Sequence, residues 1–195
     1  MSDVINHNLY LIKEHLGIFK AANNFDILDP ANGNIIMQCR EPNLGFFTKL
    51  LRFSDYKRMT PFDIQVTTPE GERIVRLQRG ISLFLSTVTV TDENNHVLGY
   101  FKQKLFSIGG KFDVLDKDEN PICHLQGKWS GWDFRFSQGE KEYARVTKKW
   151  SGLGRELFTS ADNYILEINQ DVPNADPVRK LIIAAVMCID MVLKE

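Results

Sequence analysis

The 195-residue chain is poor in cysteine: Cys39, Cys123 and Cys188 are far apart, odd in number, and form no CxxC pair. That excludes a zinc ribbon and a disulfide framework, and a reducing, cytoplasmic compartment is expected. Charge of one sign is also missing, since 24 Lys and Arg stand against 25 Asp and Glu, a net charge of −1. No global basic field draws the chain to nucleic acid, which is not expected as a partner; any attraction to an anionic surface has to come from a local patch. The opening residues, MSDVINHNLY, lack a basic stretch followed by an apolar one, so no signal peptide is expected. Gly109-Gly110 and the Gly152/Gly154 pair match neither GxGxxG nor a P-loop. His7, His15, His96 and His124 show no ligand spacing. Cys123 and His124 are neighbours on a strand and point to opposite faces, which argues against zinc and against Cys/His catalysis. No catalytic constellation emerges, and the chain is not expected to be an enzyme.

Long hydrophobic runs are scarce as well. Only one stands out, Val178 to Leu193 (VRKLIIAAVMCIDMVL), apolar on nearly every face. A helix of that kind has to be surrounded by protein or lipid. It falls short of the roughly 20 apolar residues of a bilayer span, and would be only about 24 Å long. Arg179 and Lys180 sit in its first turn and Asp190 near its end, where a carboxylate is costly in lipid. A buried core helix is therefore expected. Asn174 or Asp176 is its candidate N-cap and Pro177 suits its first position. These charges oppose the helix dipole, so other elements should satisfy Arg179 and Lys180, and a barrel Arg or Lys should meet Asp190.

Before that run the chain reads as hairpins. Residues 25–30 turn through Asn32-Gly33 into 35–37, and 62–66 through Pro69-Glu70-Gly71 into 74–77. Residues 87–90 turn through 92–95 into 97–100, 112–115 through 116–120 into 122–125, and 132–136 through Gln138-Gly139 into 143–146. Period-2 strands around Gly, Asn, Asp or Pro turns carry the hairpin signal. A last strand, 164–168, leads to the helix. About a dozen up-and-down strands normally curl or close. The expected fold is mostly β: a closed antiparallel 12-stranded barrel around the C-terminal helix. About ten large apolar helix side chains would contribute on the order of 15–30 kcal/mol gross. One domain spans 1–195, with 1–9 as a lead-in and 176–194 as the central helix. The stretch from Glu41 to Pro61 reads as a loop that holds a short helix.

Asp26, Asp63, Asp113 and Asp133 recur at one place in successive hairpins. Paired carboxylates could do acid–base work, but a repeated position in a repeated hairpin fits an outward or turn-bonding Asp more simply. Cations cluster locally: Lys49, Arg52, Lys57 and Arg58 among Phe46, Phe47 and Phe53; Lys102 and Lys104 on one strand face; Lys148, Lys149 and Arg155 around Trp150. Several cations with aromatics nearby suit phosphoinositide or other anionic head groups. Solvated strand faces are the plainer reading of the same cations. Trp129, Trp132 and Trp150 read as barrel core or rim.

Two stretches resemble the phospholipid scramblases of the tubby-like superfamily. Ala22-Asn23-Asn24-Phe25-Asp26-Ile27-Leu28-Asp29-Pro30 is similar to their early NN-aromatic-D-I-x-D strand. Lys148-Lys149-Trp150-Ser151-Gly152-Leu153-Gly154-Arg155-Glu156-Leu157-Phe158-Thr159, then Ala161-Asp162-Asn163-Tyr164, resembles K-x-W-[ST]-G-x-x-R-E-x-F-T-x-A-D-N. The resemblance runs from about Tyr10 onward, with plant LURP-one-related proteins as more distant relatives. It implies the 12-stranded barrel with a central helix, and membrane-lipid association. It also implies a calcium segment after Ala161-Asp162-Asn163, with Asp162, Asn163, Glu167, Asn169 and Asp171 as ligands. An EF-hand would want oxygens at positions 1, 3, 5 and 12 and Gly at 6; from Asp162 these include Tyr164 at 3, Glu167 at 6 and Pro173 at 12. An alternating strand with exposed Glu167 and Asn169 explains the segment better. The Pro-rich tail and clustered cysteines of the eukaryotic members are not matched, so a second lipid anchor is not expected.

The first reading is a monomeric, non-enzymatic cytoplasmic barrel that binds anionic phospholipid peripherally, at the inner face of a membrane, with no required cofactor. The alternatives are calcium-dependent lipid scrambling, a small-ligand carrier and a protein-interaction scaffold.

Overall fold

The computed structural model describes residues 3–14, 24–42, 60–81, 87–103, 112–128, 133–148 and 163–193. Twelve strands form one closed antiparallel barrel: β1 (Leu9–Glu14), β2 (Phe25–Leu28), β3 (Ile35–Arg40), β4 (Phe62–Thr67), β5 (Arg73–Arg79), β6 (Thr87–Thr91), β7 (Val97–Gln103), β8 (Phe112–Asp116), β9 (Pro121–Lys128), β10 (Asp133–Gln138), β11 (Lys141–Thr147) and β12 (Asn163–Ile168). Each strand pairs with its sequence neighbours, and β1 closes the ring against β12, with Ile12 opposite Tyr164. A single 3-10 turn, Asp3–Asn6, precedes β1, and one α-helix, α1 (Pro177–Leu193), follows β12.

The alternation in sequence becomes inside and outside. In β4, Phe62, Ile64 and Val66 are buried while the residues between them are half-exposed. The inward set of all strands forms one core cluster with Val178, Leu181, Ile182, Ile183, Val186, Met187 and Ile189 of α1. These seven helix side chains contribute on the order of 10–20 kcal/mol gross. Gly99 faces this helix: a β-carbon there would come 2.1 Å from the Leu115 carbonyl oxygen and 3.2 Å from Leu181 Cδ1. β1 and β12 depart from alternation, because Tyr10, Leu11 and Ile12 are all buried, as are Asn163 to Leu166. Leu11 and Ile165 face each other on the side away from the interior cluster and are still 1% exposed.

Antiparallel order gives the barrel two unlike rims. At one, five tight hairpin turns join β2–β3, β4–β5, β6–β7, β8–β9 and β10–β11. Each turn has a residue at positive φ: Gly33, Gly71, Asn95, Glu119 and Gly139. At the other rim lie the strand ends joined by the remaining connections. The helix enters at the turn rim, capped by Asp176 Oδ1, which accepts the Val178 N–H at 2.9 Å, with Pro177 as first residue. It runs toward the connection rim.

The cations of the first helical turn are met by other elements. Arg179 is 1% exposed, and its guanidinium donates to the carbonyls of Val172 (2.8 Å), Pro173 (3.0 Å), His7 (2.9 Å) and Ile5 (3.4 Å) and to Asn8 Oδ1 (2.7 Å). One buried side chain thus ties the segment before β1, the β12–α1 link and the helix together. Lys180, also buried, donates to Glu93 of the β6–β7 turn at 2.8 Å. The side chain of Asp190 lies outside the described residues, as does the short helix expected between Glu41 and Pro61.

Candidate functional site

The repeated aspartates are clamped by a basic side chain on the following strand. Arg40 Nη2 meets Asp26 Oδ1 at 2.5 Å; Arg76 grips Asp63 through Nε (2.8 Å) and Nη2 (2.6 Å); Arg145 grips Asp133 the same way at 2.9 and 2.7 Å. The fourth pair is His124 Nδ1 with Asp113 Oδ1, 2.5 Å apart. Bonding to Asp63 and to Asp133 raises the pKa of Arg76 and of Arg145. These carboxylates are acceptors engaged across the barrel wall, so their recurrence is a structural repeat. Sequence carried the signal, since each partner follows its Asp by 11 to 14 residues. Asp26 is buried, whereas the other three pairs are half-exposed and contribute little individually.

The turn rim is acidic. Each of the five hairpin turns has a carboxylate, none contains Phe, Trp or Tyr, and Lys117 is the single Lys or Arg among them. Part of this acidity shapes the turns. Asp92 Oδ1 accepts the N–H groups of Asn94 and His96, both at 2.8 Å, and Asp116 Oδ1 those of Asp118 (2.9 Å) and Asn120 (2.8 Å). Burial pushes the Asp92 carboxyl up, but the N–H groups of His96 and Asn94 outweigh it and hold the group below its usual range. The Lys180 hydrogen bond lowers Glu93 likewise.

The expected lipid contacts distribute unevenly. Lys148 directly follows β11 and is half-buried. Lys102 lies on β7, its Nζ 2.6 Å from Glu119 Oε2. Lys49, Arg52, Lys57, Arg58, Lys104, Lys149 and Arg155 lie outside the described residues, as do the three tryptophans. The strands flanking their segments, β3 and β4, β7 and β8, β9 and β10, and β11 and β12, all end on the connection rim.

Of the expected calcium ligands, Asn163 stands apart from Glu167, Asn169 and Asp171. Asn163 is buried at the start of β12, whereas Glu167 is exposed near its other end, opposite Leu9 and Arg145. Asn169 Oδ1 accepts the Asp171 N–H at 3.0 Å, and Asn169 Nδ2 donates to the Glu142 carbonyl at 3.2 Å. Asp162 lies outside the described residues. Glu167, Asn169 and Asp171 line an open polar groove of about 560 Å³ with Glu142, Arg145 and Asn8. Among the described residues no group of three or more His, Cys, Asp or Glu is placed to hold a metal ion. No described helix is long and apolar enough to cross a membrane.

A sequence model of the family described as Scramblase matches residues 4–195. The chain belongs to the scramblase family. Phospholipid scramblase 2 of Homo sapiens is 21% identical over 207 residues, covering 98% of this chain and 67% of the human protein. The Altered inheritance rate of mitochondria protein 25 of Saccharomyces cerevisiae is 26% identical over 199 residues, covering 85% of this chain and 58% of the yeast protein. This scramblase-family chain thus spans about two thirds or less of these relatives. A crystal structure of an Arabidopsis thaliana protein superposes with a TM-score of 0.52 at 18% identity, covering 93% of this chain and 90% of that one, a likeness of fold alone.

Proposed function

We propose that this scramblase-family barrel attaches peripherally to anionic phospholipid head groups through its connection rim. The observation that carries the reading is the segregation of charge by topology. In sequence, the segments that join strand ends of this rim contain Lys20, Lys49, Arg52, Lys57, Arg58, Lys104, Lys111, Lys148, Lys149 and Arg155 against Glu41, Asp55, Glu156 and Asp162. The opposite rim is acidic. A molecule of net charge −1 thereby becomes a dipole whose cationic end can approach an anionic surface while its acidic end points away. Each cation near such a surface contributes about 1 kcal/mol, and screening removes the attraction beyond a Debye length. The chemistry selects negative charge density and does not by itself single out a phosphoinositide.

The test is co-sedimentation with phosphatidylcholine vesicles with and without phosphatidylserine, for the wild type and for Lys148→Gln/Lys149→Gln. The wild type should bind the anionic vesicles alone, and the double variant should lose about thirtyfold in affinity, about 2 kcal/mol, with its thermal midpoint kept. Equal binding of both proteins would remove Lys148 and Lys149 from the contact. A calcium arm separates the scrambling reading, for which the relative's name is the support: binding or lipid transfer that requires calcium would favour it over passive attachment.

A further inference from the structure

We infer that residues 3–8 are a strap that latches α1 into the barrel, and that the strap, the β12–α1 link and the first helical turns open as one unit. Cleavage or capture of the chain just before β1 is thereby transmitted to the central helix.

The strap stands outside the sheet. Asp3–Asn6 is a 3-10 turn that belongs to no strand, and it touches α1 at the turn rim. To the barrel wall it is joined by the Tyr10 hydroxyl, which donates to the Val4 carbonyl at 3.1 Å, and by the Ile168 N–H, which donates to the Asn8 carbonyl at 2.8 Å. Its other hydrogen bonds run to the helix and its lead-in, and the Arg179 guanidinium divides its donors between the two segments. Nε donates to the Val172 and Pro173 carbonyls of the link, at 3.2 and 3.0 Å. Nη1 donates to the Ile5 and His7 carbonyls of the strap, at 3.4 and 2.9 Å. Nη2 is shared between Asn8 Oδ1 and the Val172 carbonyl. Among the described residues, Nη1 has strap acceptors alone. Arg179 is 1% exposed, so a strap that leaves strands a buried cationic donor until the helix end moves with it.

The link depends on the strap as well. Ala175 has a φ of 61°, a conformation uncommon outside glycine, and its N–H is accepted by Asn6 Oδ1 at 3.0 Å. Ile5, buried, belongs to the core cluster that includes Val178 and Leu181. Stability alone does not call for this arrangement. Cations at the positive end of a helix dipole weaken the helix, and apolar residues on both partners would close the rim without that cost. What the polar contacts add is dependence: the seat of α1 is complete only while residues 3–8 are in place.

The experiment is native-state hydrogen–deuterium exchange on the full chain, which resolves segments that open together below global unfolding. In the wild type, residues 3–8, 169–176 and 177–184 should share one opening and exchange faster than the ladders of β4 to β7. Asn6→Ala/Asn8→Ala removes two half-exposed strap acceptors and keeps Arg179. It should speed exchange of all three segments together by about thirtyfold and leave β4 to β7 unchanged. Acceleration confined to residues 3–8, with 177–184 unchanged, would overturn the coupling. Equal acceleration over the whole barrel would overturn it too, because the strap would then be one more contact of a single cooperative unit. Wild-type protection of 177–184 equal to that of β4 to β7 would refute the latch without any variant, so the outcome holds even if the substitutions disturb folding.

Discussion

Replacing Arg179 with Met should destabilise the barrel far more than a surface charge would. The guanidinium reaches five acceptors, four of them carbonyls, in segments that make no continuous sheet with one another. Net contributions of about 1.5–3 kcal/mol apply to hydrogen bonds with a charged partner, and about 1–3 kcal/mol to a buried acceptor left unpaired. These terms overlap and water will reach some carbonyls, so about 4 kcal/mol is expected, a large share of the roughly 5–15 kcal/mol that holds a domain together. At about 2–4 °C per kcal/mol for a chain of this size, the thermal midpoint should fall on the order of 10 °C. Urea unfolding followed by circular dichroism gives the free energy. Limited proteolysis reads the location, because residues 3–8 should be freed before the barrel is cut. Arg179→Lys, which keeps the charge without the planar fork, should fall between the two. A loss below about 1 kcal/mol for Arg179→Met, with residues 3–8 still protected, would refute the clamp.

Other outcomes follow from the packing. Gly99→Ala must displace the Leu115 backbone carbonyl and crowd Leu181 as well, and should cost about 1–3 kcal/mol by chemical denaturation. The Lys180 ammonium holds the Glu93 carboxyl below the usual glutamate range. The stability this contributes is present above the unfolded-chain value of about 4.3 and is lost as pH falls through the lower folded value, so Glu93→Gln should flatten the acid limb of the stability curve. Burial, and then the Asp113 carboxylate, push the Cys123 thiol up to about 12; in a Cys188→Ser background the native thiols should resist a disulfide reagent at pH 8 and react on unfolding.

Most of the barrel was legible because hairpins declare themselves locally. Period-2 burial and turn residues such as Asn32-Gly33 and Pro69-Glu70-Gly71 lie within a few positions of one another, and the all-apolar run at the end, too short for a bilayer span, favoured a core helix over a membrane anchor. β1 was not legible as a strand. Leu9-Tyr10-Leu11-Ile12 does not alternate, because both sides of this strand are buried, and its partner β12 is more than 150 residues away. A similar distance hid the Ile5, His7 and Asn8 acceptors of Arg179, although its need for partners outside the helix was readable from the dipole. The four aspartates were visible as a repeat, but their meaning depended on cations one strand later, a relation fixed by register. The cationic patches were legible as clusters in sequence. That the strands bracketing them all have an end at one rim follows only from strand direction around a closed ring.

Membrane docking through one rim is tested most directly by hydrogen–deuterium exchange of the chain, free and bound to anionic vesicles. Docking through the connection rim predicts added protection at residues 41–61, 80–86, 104–111, 129–132 and 148–162, with the turns at 29–34, 68–72 and 92–96 unchanged. Protection of the acidic turns, or vesicle binding that leaves the connections as exposed as before, would contradict it.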